Sequence, residues 1–237
     1  MNVLRFTLSG KFGHFKRLEG STVKQTHTIP PRTVIQGLFA GILGLERDSY
    51  YEDFENAKFA VVPKEIRRQT LPQLFASTKP DQLEPLTNST KAPDYTEDRQ
   101  RLAVEYLINP KYTIYADVPD KYKDELNTRL EEHRYEYTPC LGTSECLARI
   151  EHDGKVPLSK TASKKFDSAV PENQITTKEL NQSLTFERFP TNFTTTETGR
   201  KPTGFINLIV PLENKQISGT LENGTTYTDG ENTLVFF

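Results

Sequence analysis

Near the amino terminus the chain changes its hydrophobic period. Val3 to Leu8 alternates Val3, Arg5 and Thr7 with Leu4, Phe6 and Leu8, and from Thr33 the spacing becomes helical, with Val34, Leu38 and Ile42 beside Ile35, Phe39 and Leu43. A period of two followed by one near 3.6 demands a strand and a helix that share a layer interface, which excludes all-helical bundles and pure β-sandwiches for this part of the chain. Ser9-Gly10 ends the strand. Pro31 supplies a preset φ where no helical N–H is needed, so the helix is expected over about 32 to 46. Gly37 and Gly41 fall four apart on one face, a pattern that lets the backbone lie close to a covering sheet at about 1 kcal/mol of helix propensity each.

The same signals continue. Lys58 to Val62 reads as a second strand, and Leu102 to Ile108 with Tyr112 to Tyr115 as a third, interrupted at Asn109-Pro110. A second helix follows Pro119, with Asp120 as its N-cap and Tyr122, Leu126 and Leu130 along one face. Leu147 to Ile150 reads as a fourth strand. The order β-α-β-β-α-β over residues 2–152 predicts an α+β fold of ferredoxin-like arrangement, RRM-like in the manner of many RNA-binding modules. Order alone does not assign function, since such superfolds host many.

Residues 10–31 read as a long irregular connection, and 70–98 as an insertion with four prolines. Connections of that length in a compact domain are functional or unstructured. After 153 the chain is polar up to 183, and from Leu184 it reads as short strands and turns: Phe205 to Val210, a hairpin at Asn223-Gly224, a turn at Asp229-Gly230, and Thr233 to Phe237. Residues 1–152 are thus expected as one domain and 153–237 as a linker and smaller β-rich half.

Charge narrows the partners. The 237 residues carry a formal net charge of −2, so no global field drives the chain onto nucleic acid or an anionic surface, and an anion site must be local. Residues 1–35 hold Arg5, Lys11, Lys16, Arg17, Lys24 and Arg32 against Glu19 alone, leaving the remainder acidic. Within them Gly10-Lys11-Phe12-Gly13-His14-Phe15-Lys16-Arg17 interleaves cations with aromatics, which suits phosphate neutralisation with base stacking, although composition alone favours a solvated loop whose phenylalanines plug the core. Arg67-Arg68 precede the insertion and Arg99 and Arg101 follow it. Guanidinium forks match phosphate oxygens, although sequence alone favours a solvated loop here.

His133, Cys140, Cys146 and His152 lie close in sequence but lack the paired short spacings of structural zinc, and phosphate-loop, nucleophile-elbow and dinucleotide signatures do not occur. No cofactor or metal is expected. Two cysteines, a first apolar run too short for a signal peptide, and no apolar stretch of membrane-spanning length point to a cytoplasmic protein without a membrane partner.

Several stretches carry a further signal: Val3 to Arg17; Thr28-Ile29-Pro30-Pro31-Arg32-Thr33-Val34-Ile35-Gln36-Gly37-Leu38-Phe39-Ala40-Gly41-Ile42-Leu43-Gly44; Pro139-Cys140-Leu141-Gly142-Thr143-Ser144-Glu145-Cys146; and, in support, Asn109 to Tyr115 and the closing Leu234-Val235-Phe236-Phe237. Together they resemble the CRISPR-associated family-five proteins of the RAMP superfamily, the subunit present once in type I Cascade surveillance complexes. The resemblance implies a ferredoxin-like RAMP domain with a β-hairpin thumb inserted between its second and third strands, matching 70–98. It implies a crRNA-binding subunit in antiviral defence that grips the 5′ handle of the guide, touches the large and backbone subunits, and meets target DNA only through the complex. Carried over, Lys16, Arg17 and Arg32 become handle contacts with Lys11, His14 and Lys24 of the same region, while Arg67, Arg68, Arg99 and Arg101 flank the thumb; Pro139 to Glu145 shapes a turn beside the sheet. One branch of the family cuts precursor RNA without metal through a Tyr, Lys and His cluster. His14, His27, Lys24, Tyr50 and Tyr51 offer such groups, but Lys111-Tyr112 stands where that branch has Lys-His. Binding without catalysis is therefore expected, with a metal-independent endoribonuclease as the alternative.

Overall fold

The amino-terminal alternation becomes β1 (Asn2–Gly10) in a computed structural model describing residues 1–18, 23–76, 99–177, 184–197, 199–212 and 215–237. After the short strands β2 (Phe12–Gly13) and β3 (Val23–Lys24) come helix α1 (Arg32–Leu43), β4 (Lys58–Glu65), β5 (Arg68–Ala76), β6 (Arg99–Ile108), β7 (Lys111–Asp117), helix α2 (Asp120–Glu131) and β8 (Ala148–Pro157). Strands β4, β7, β1 and β8 form one antiparallel sheet in that order. The fold is α+β, with strand predominating.

Alternation decides what each face of β1 meets. Leu4, Phe6 and Leu8 enter the main core, where the Phe6 ring meets Phe39 of α1 edge-on at 5.7 Å. Val3 faces the other way into a smaller cluster with Val62, Tyr115 and Leu234. Both faces are therefore covered. Arg5, on the same face as Val3, lies under the carboxy-terminal turn and donates to Asp229 at 3.0 Å and Glu231 at 2.7 Å.

Helix α1 stops at Leu43 rather than near 46, because Gly44 adopts φ +76 and its N–H returns to Ala40 and Gly41, a left-handed cap. Its glycine face does not lie against the sheet as expected: Gly37 abuts the Tyr50 hydroxyl and Gly41 faces Tyr137, along a groove of about 470 Å³. In α2, Pro119 takes the N-cap place and Asp120 the first turn, correcting the expected Asp120 cap. Leu126 and Leu130 are fully buried, and Tyr122 stacks on Phe54 at 5.3 Å.

The expected third strand is two strands in two sheets. At Asn109 the backbone turns with φ +48, so β7 alone enters the main sheet. Strand β6 leaves it to pair with β5, from Arg68↔Leu107 to Ala76↔Arg99. The supposed insertion thus begins inside a regular ladder, and residues 77–98 lie outside the described residues.

The polar stretch after 153 also corrects a reading, since β8 runs on to Pro157, held by its full-length partner β1. It is followed by β9 (Ser159–Thr161), β10 (Lys165–Phe166), β11 (Val170–Pro171), β12 (Ile175–Thr177), β13 (Leu184–Pro190), β14 (Phe193–Thr196), β15 (Gly199–Pro202), β16 (Phe205–Pro211), β17 (Ile217–Leu221), β18 (Thr226–Thr228) and β19 (Thr233–Val235). Asp229-Gly230 does turn β18 into β19, whereas Asn223-Gly224 closes no hairpin: β17 pairs with β10 and β12, and β18 with β19 and β9. Phe189, Leu208 and Val210 of this half are buried in the same core as β1 and α1.

Candidate functional site

The basic first loop is a pinned excursion rather than an irregular connection. Strand β2 pairs with β6 antiparallel and β3 pairs with it in parallel, on the edge away from β5. Lys16 bridges Thr26, the Arg17 N–H donates to the Gln25 carbonyl at 3.1 Å, and the His27 N–H donates to the Phe15 carbonyl at 2.8 Å. Thr26 Oγ1 accepts the Phe15 N–H at 2.8 Å, and the Glu105 carboxylate accepts the Thr26 N–H at 3.0 Å. These bonds satisfy the backbone of a segment with little regular structure of its own.

Glu187 closes the arrangement. On β13 the alternation that points Phe186 and Arg188 outward turns Glu187 and Phe189 inward, and the Glu187 side chain is fully covered. Its Oε1 accepts from Arg17 Nη2 at 2.6 Å and Arg68 Nη2 at 2.5 Å; its Oε2 accepts the Thr28 N–H at 2.9 Å and lies 3.2 Å from His27 Nδ1. The Thr28 hydroxyl donates to Oε1, Arg68 also reaches Thr28 Oγ1, and the His27 ring stacks on Phe189 at 4.4 Å. Burial alone would push this carboxyl up, but the bonds from His27 and Thr28 and the charge of Arg17 outweigh it and hold it at about 2. A charge buried without such partners would cost several kcal/mol.

The expected site residues therefore separate. Arg17 and Arg68 meet on Glu187 while keeping 23% and 33% of their side-chain surface exposed. His14 is not a surface group: it is buried, its Nδ1 2.8 Å from the Glu105 carbonyl and its ring 5.6 Å from Tyr106. Arg32 is no solvated cation either. It donates to the Phe54 carbonyl at 3.1 Å and to that of Glu55, clamping the start of α1 to the turn before β4, and burial lowers its pKa. Lys11, Lys16, Lys24 and Arg67 are exposed, and the Lys11 ammonium lies 5.9 Å from the Phe12 ring centroid. Arg67 comes close to the loop through Ile108 and Asn109, whose N–H groups donate to the carbonyls of Arg67 and Lys11 at 2.7 and 2.9 Å. Arg99 and Arg101 stand on β6, with side chains outside the described residues.

The Pro139 to Cys146 run is a turn beside the sheet. The Leu141 carbonyl accepts the His14 N–H at 2.9 Å, and Gly142, at φ +93, passes so close that a Cβ there would sit 2.1 Å from the His14 carbonyl oxygen. Only glycine fits both constraints. Both cysteines are free, and burial pushes their thiols up. Among the described residues no three His, Cys, Asp or Glu side chains converge as a metal site would require. Tyr50 and Tyr51 are buried; the Tyr51 hydroxyl donates to Asp48 at 2.7 Å, and burial raises its pKa.

Sequence reading missed Glu187, Glu105 and Thr28. The available signal was Glu187 between Phe186 and Arg188 in a segment with strand character, but nothing local tells which face of that strand is covered.

A family model described as CRISPR-associated protein (Cas_Cas5) matches residues 3–204. The fold is similar to a CRISPR protein from Archaeoglobus fulgidus, with a TM-score of 0.61 at 12% identity over 99% of both chains. It is also similar to a chain of a CRISPR RNA-guided surveillance complex, with a TM-score of 0.56 at 16% identity over 94% of this chain and 93% of the other. No curated protein matches. With the family model spanning most of its length, and a glycine-bearing helix, a basic loop and the Pro-x-Leu-Gly turn packed together, this chain belongs to the CRISPR-associated Cas5 family.

Proposed function

We propose that the protein is a non-catalytic, cytoplasmic subunit of a type I Cascade surveillance complex that grips the 5′ handle of the guide RNA and bridges the large and backbone subunits, meeting target DNA only through the assembly. The observation that carries this reading is the exposure of Lys11, Lys16, Lys24 and Arg67 on a loop and ladder base fixed to β6, in a chain whose remainder is acidic. Cations held on ordered backbone neutralise phosphates at little entropic cost. Family membership and the similarity to a chain of an RNA-guided complex support the reading.

The sheet order β4-β7-β1-β8, with α1 and α2 as the two crossovers, supports a ferredoxin-like core for residues 1–152, and the β5 and β6 ladder is read as the root of the thumb. Two histidines that could serve acid–base chemistry, His14 and His27, are buried and hydrogen-bonded, which supports binding over cleavage.

Fluorescence titration with repeat-derived RNA, in chelator and at several salt concentrations, tests the proposal. Wild-type protein should bind without cutting. Exchanging Lys11, Lys16, Lys24 and Arg67 for glutamine together should lower affinity and reduce the salt slope by about 0.7 for each phosphate that is no longer neutralised. Unchanged affinity would place the RNA on another surface, and specific cleavage abolished in His27→Ala would install the endoribonuclease reading instead.

A further inference from the structure

Arg17 and Arg68 come from segments separated by all of α1 and β4, yet both guanidiniums rest on one carboxylate oxygen of Glu187. Two like charges set side by side at a surface repel and drift apart unless an anion is fixed between them. Here the anion is covered by protein, and its remaining acceptor capacity is taken by Thr28 and by His27. It therefore neither faces a ligand nor cancels both guanidiniums. Each arginine spends one terminal nitrogen on Glu187 and keeps part of its side chain at the surface. Guanidinium donors oriented in this way suit a phosphate oxygen better than freely moving ones, because their rotamer entropy is already lost.

We propose that Glu187 is a positioning residue for RNA: its buried carboxylate holds Arg17 and Arg68 together as one seat for a backbone phosphate. The seat exists only when three pieces are docked, namely the first loop, the start of β5 and strand β13. It rests on the RNA-binding reading above and adds to it a residue of negative charge in a site for a polyanion.

That sign makes the inference testable. If only the long-range field mattered, removing a negative charge would strengthen RNA binding. If Glu187 positions the pair, Glu187→Gln weakens it. Affinity for a fluorescently labelled, mixed-sequence single-stranded RNA is measured against salt for the full-length wild type, Glu187→Gln, Arg17→Gln and Arg68→Gln, with circular dichroism confirming folding. The expected result is about tenfold weaker binding and a shallower salt dependence for folded Glu187→Gln, with a smaller loss of the same kind in each arginine variant. A folded Glu187→Gln that binds as tightly as wild type, or more tightly, overturns the proposal. Should that variant not fold, the arginine variants still decide, since each leaves the carboxylate one guanidinium partner: unchanged affinity and slope in both overturns the proposal. A wild type that binds no RNA overturns the functional reading together with this inference, whereas binding that all three variants preserve removes this inference alone.

Discussion

Arg68 reaches across 119 positions of sequence to donate to Oε1 of Glu187 at 2.5 Å. That bond ties the start of the β5 ladder to a strand of the carboxy-terminal half, and its acceptor is held at about 2 against an ordinary value of 4.5. Because the folded chain binds this proton less readily than the unfolded one, Glu187 contributes stability that is complete above about pH 4.5 and lost as pH falls toward 2. The shift corresponds to about 3 kcal/mol. Urea unfolding of the wild type should lose stability across that window, and Glu187→Gln should flatten the loss; an unaltered acid limb would show that other carboxylates carry it.

Gly142 gives a steric prediction. Any side chain there meets the His14 carbonyl oxygen and must adopt φ +93. Gly142→Ala should therefore cost about 3 kcal/mol or more, read as a lowered midpoint in chemical denaturation. Stability equal to wild type would mean that the turn can move away from the loop.

Arg32 separates scaffold from interface. Arg32→Gln removes donors from the Phe54 and Glu55 carbonyls and should cost about 1 to 2 kcal/mol of stability, measured by denaturant unfolding. RNA affinity per folded molecule should not change. A selective loss of affinity at full stability would return this arginine to the RNA surface.

Among the described residues the β5 and β6 ladder runs as far as Ala76 opposite Arg99, so an Asn-Gly pair in place of 77–98 would close it as a two-residue hairpin. The shortened protein should unfold within about 0.5 kcal/mol of wild type, while its incorporation into a complex with the neighbouring subunits, followed by co-purification, should fall. Loss of cooperative unfolding would assign 77–98 a part in the core.

The sequence by itself determined the first strand, the two helices and the apolar faces that they bury. Period two in Val3 to Leu8 and helical spacing from Ile35 to Ile42 depend only on which side chains can be removed from water, and that information is local. The turn at Asp229-Gly230 is likewise written in adjacent residues, whereas the left-handed stop at Gly44 is not read there and the helix is expected to run on to about 46. Tertiary structure alone decided that β6 leaves the main sheet, that β8 extends along β1, and which cations stay exposed. Lys16 and Arg17 are adjacent in sequence, yet one is exposed and the other rests on Glu187, 170 positions away. An arginine on a loop has no partner until the chain closes, and the acceptor it meets is set by which face of a distant strand is covered, a property of the assembled layers that no local pattern encodes.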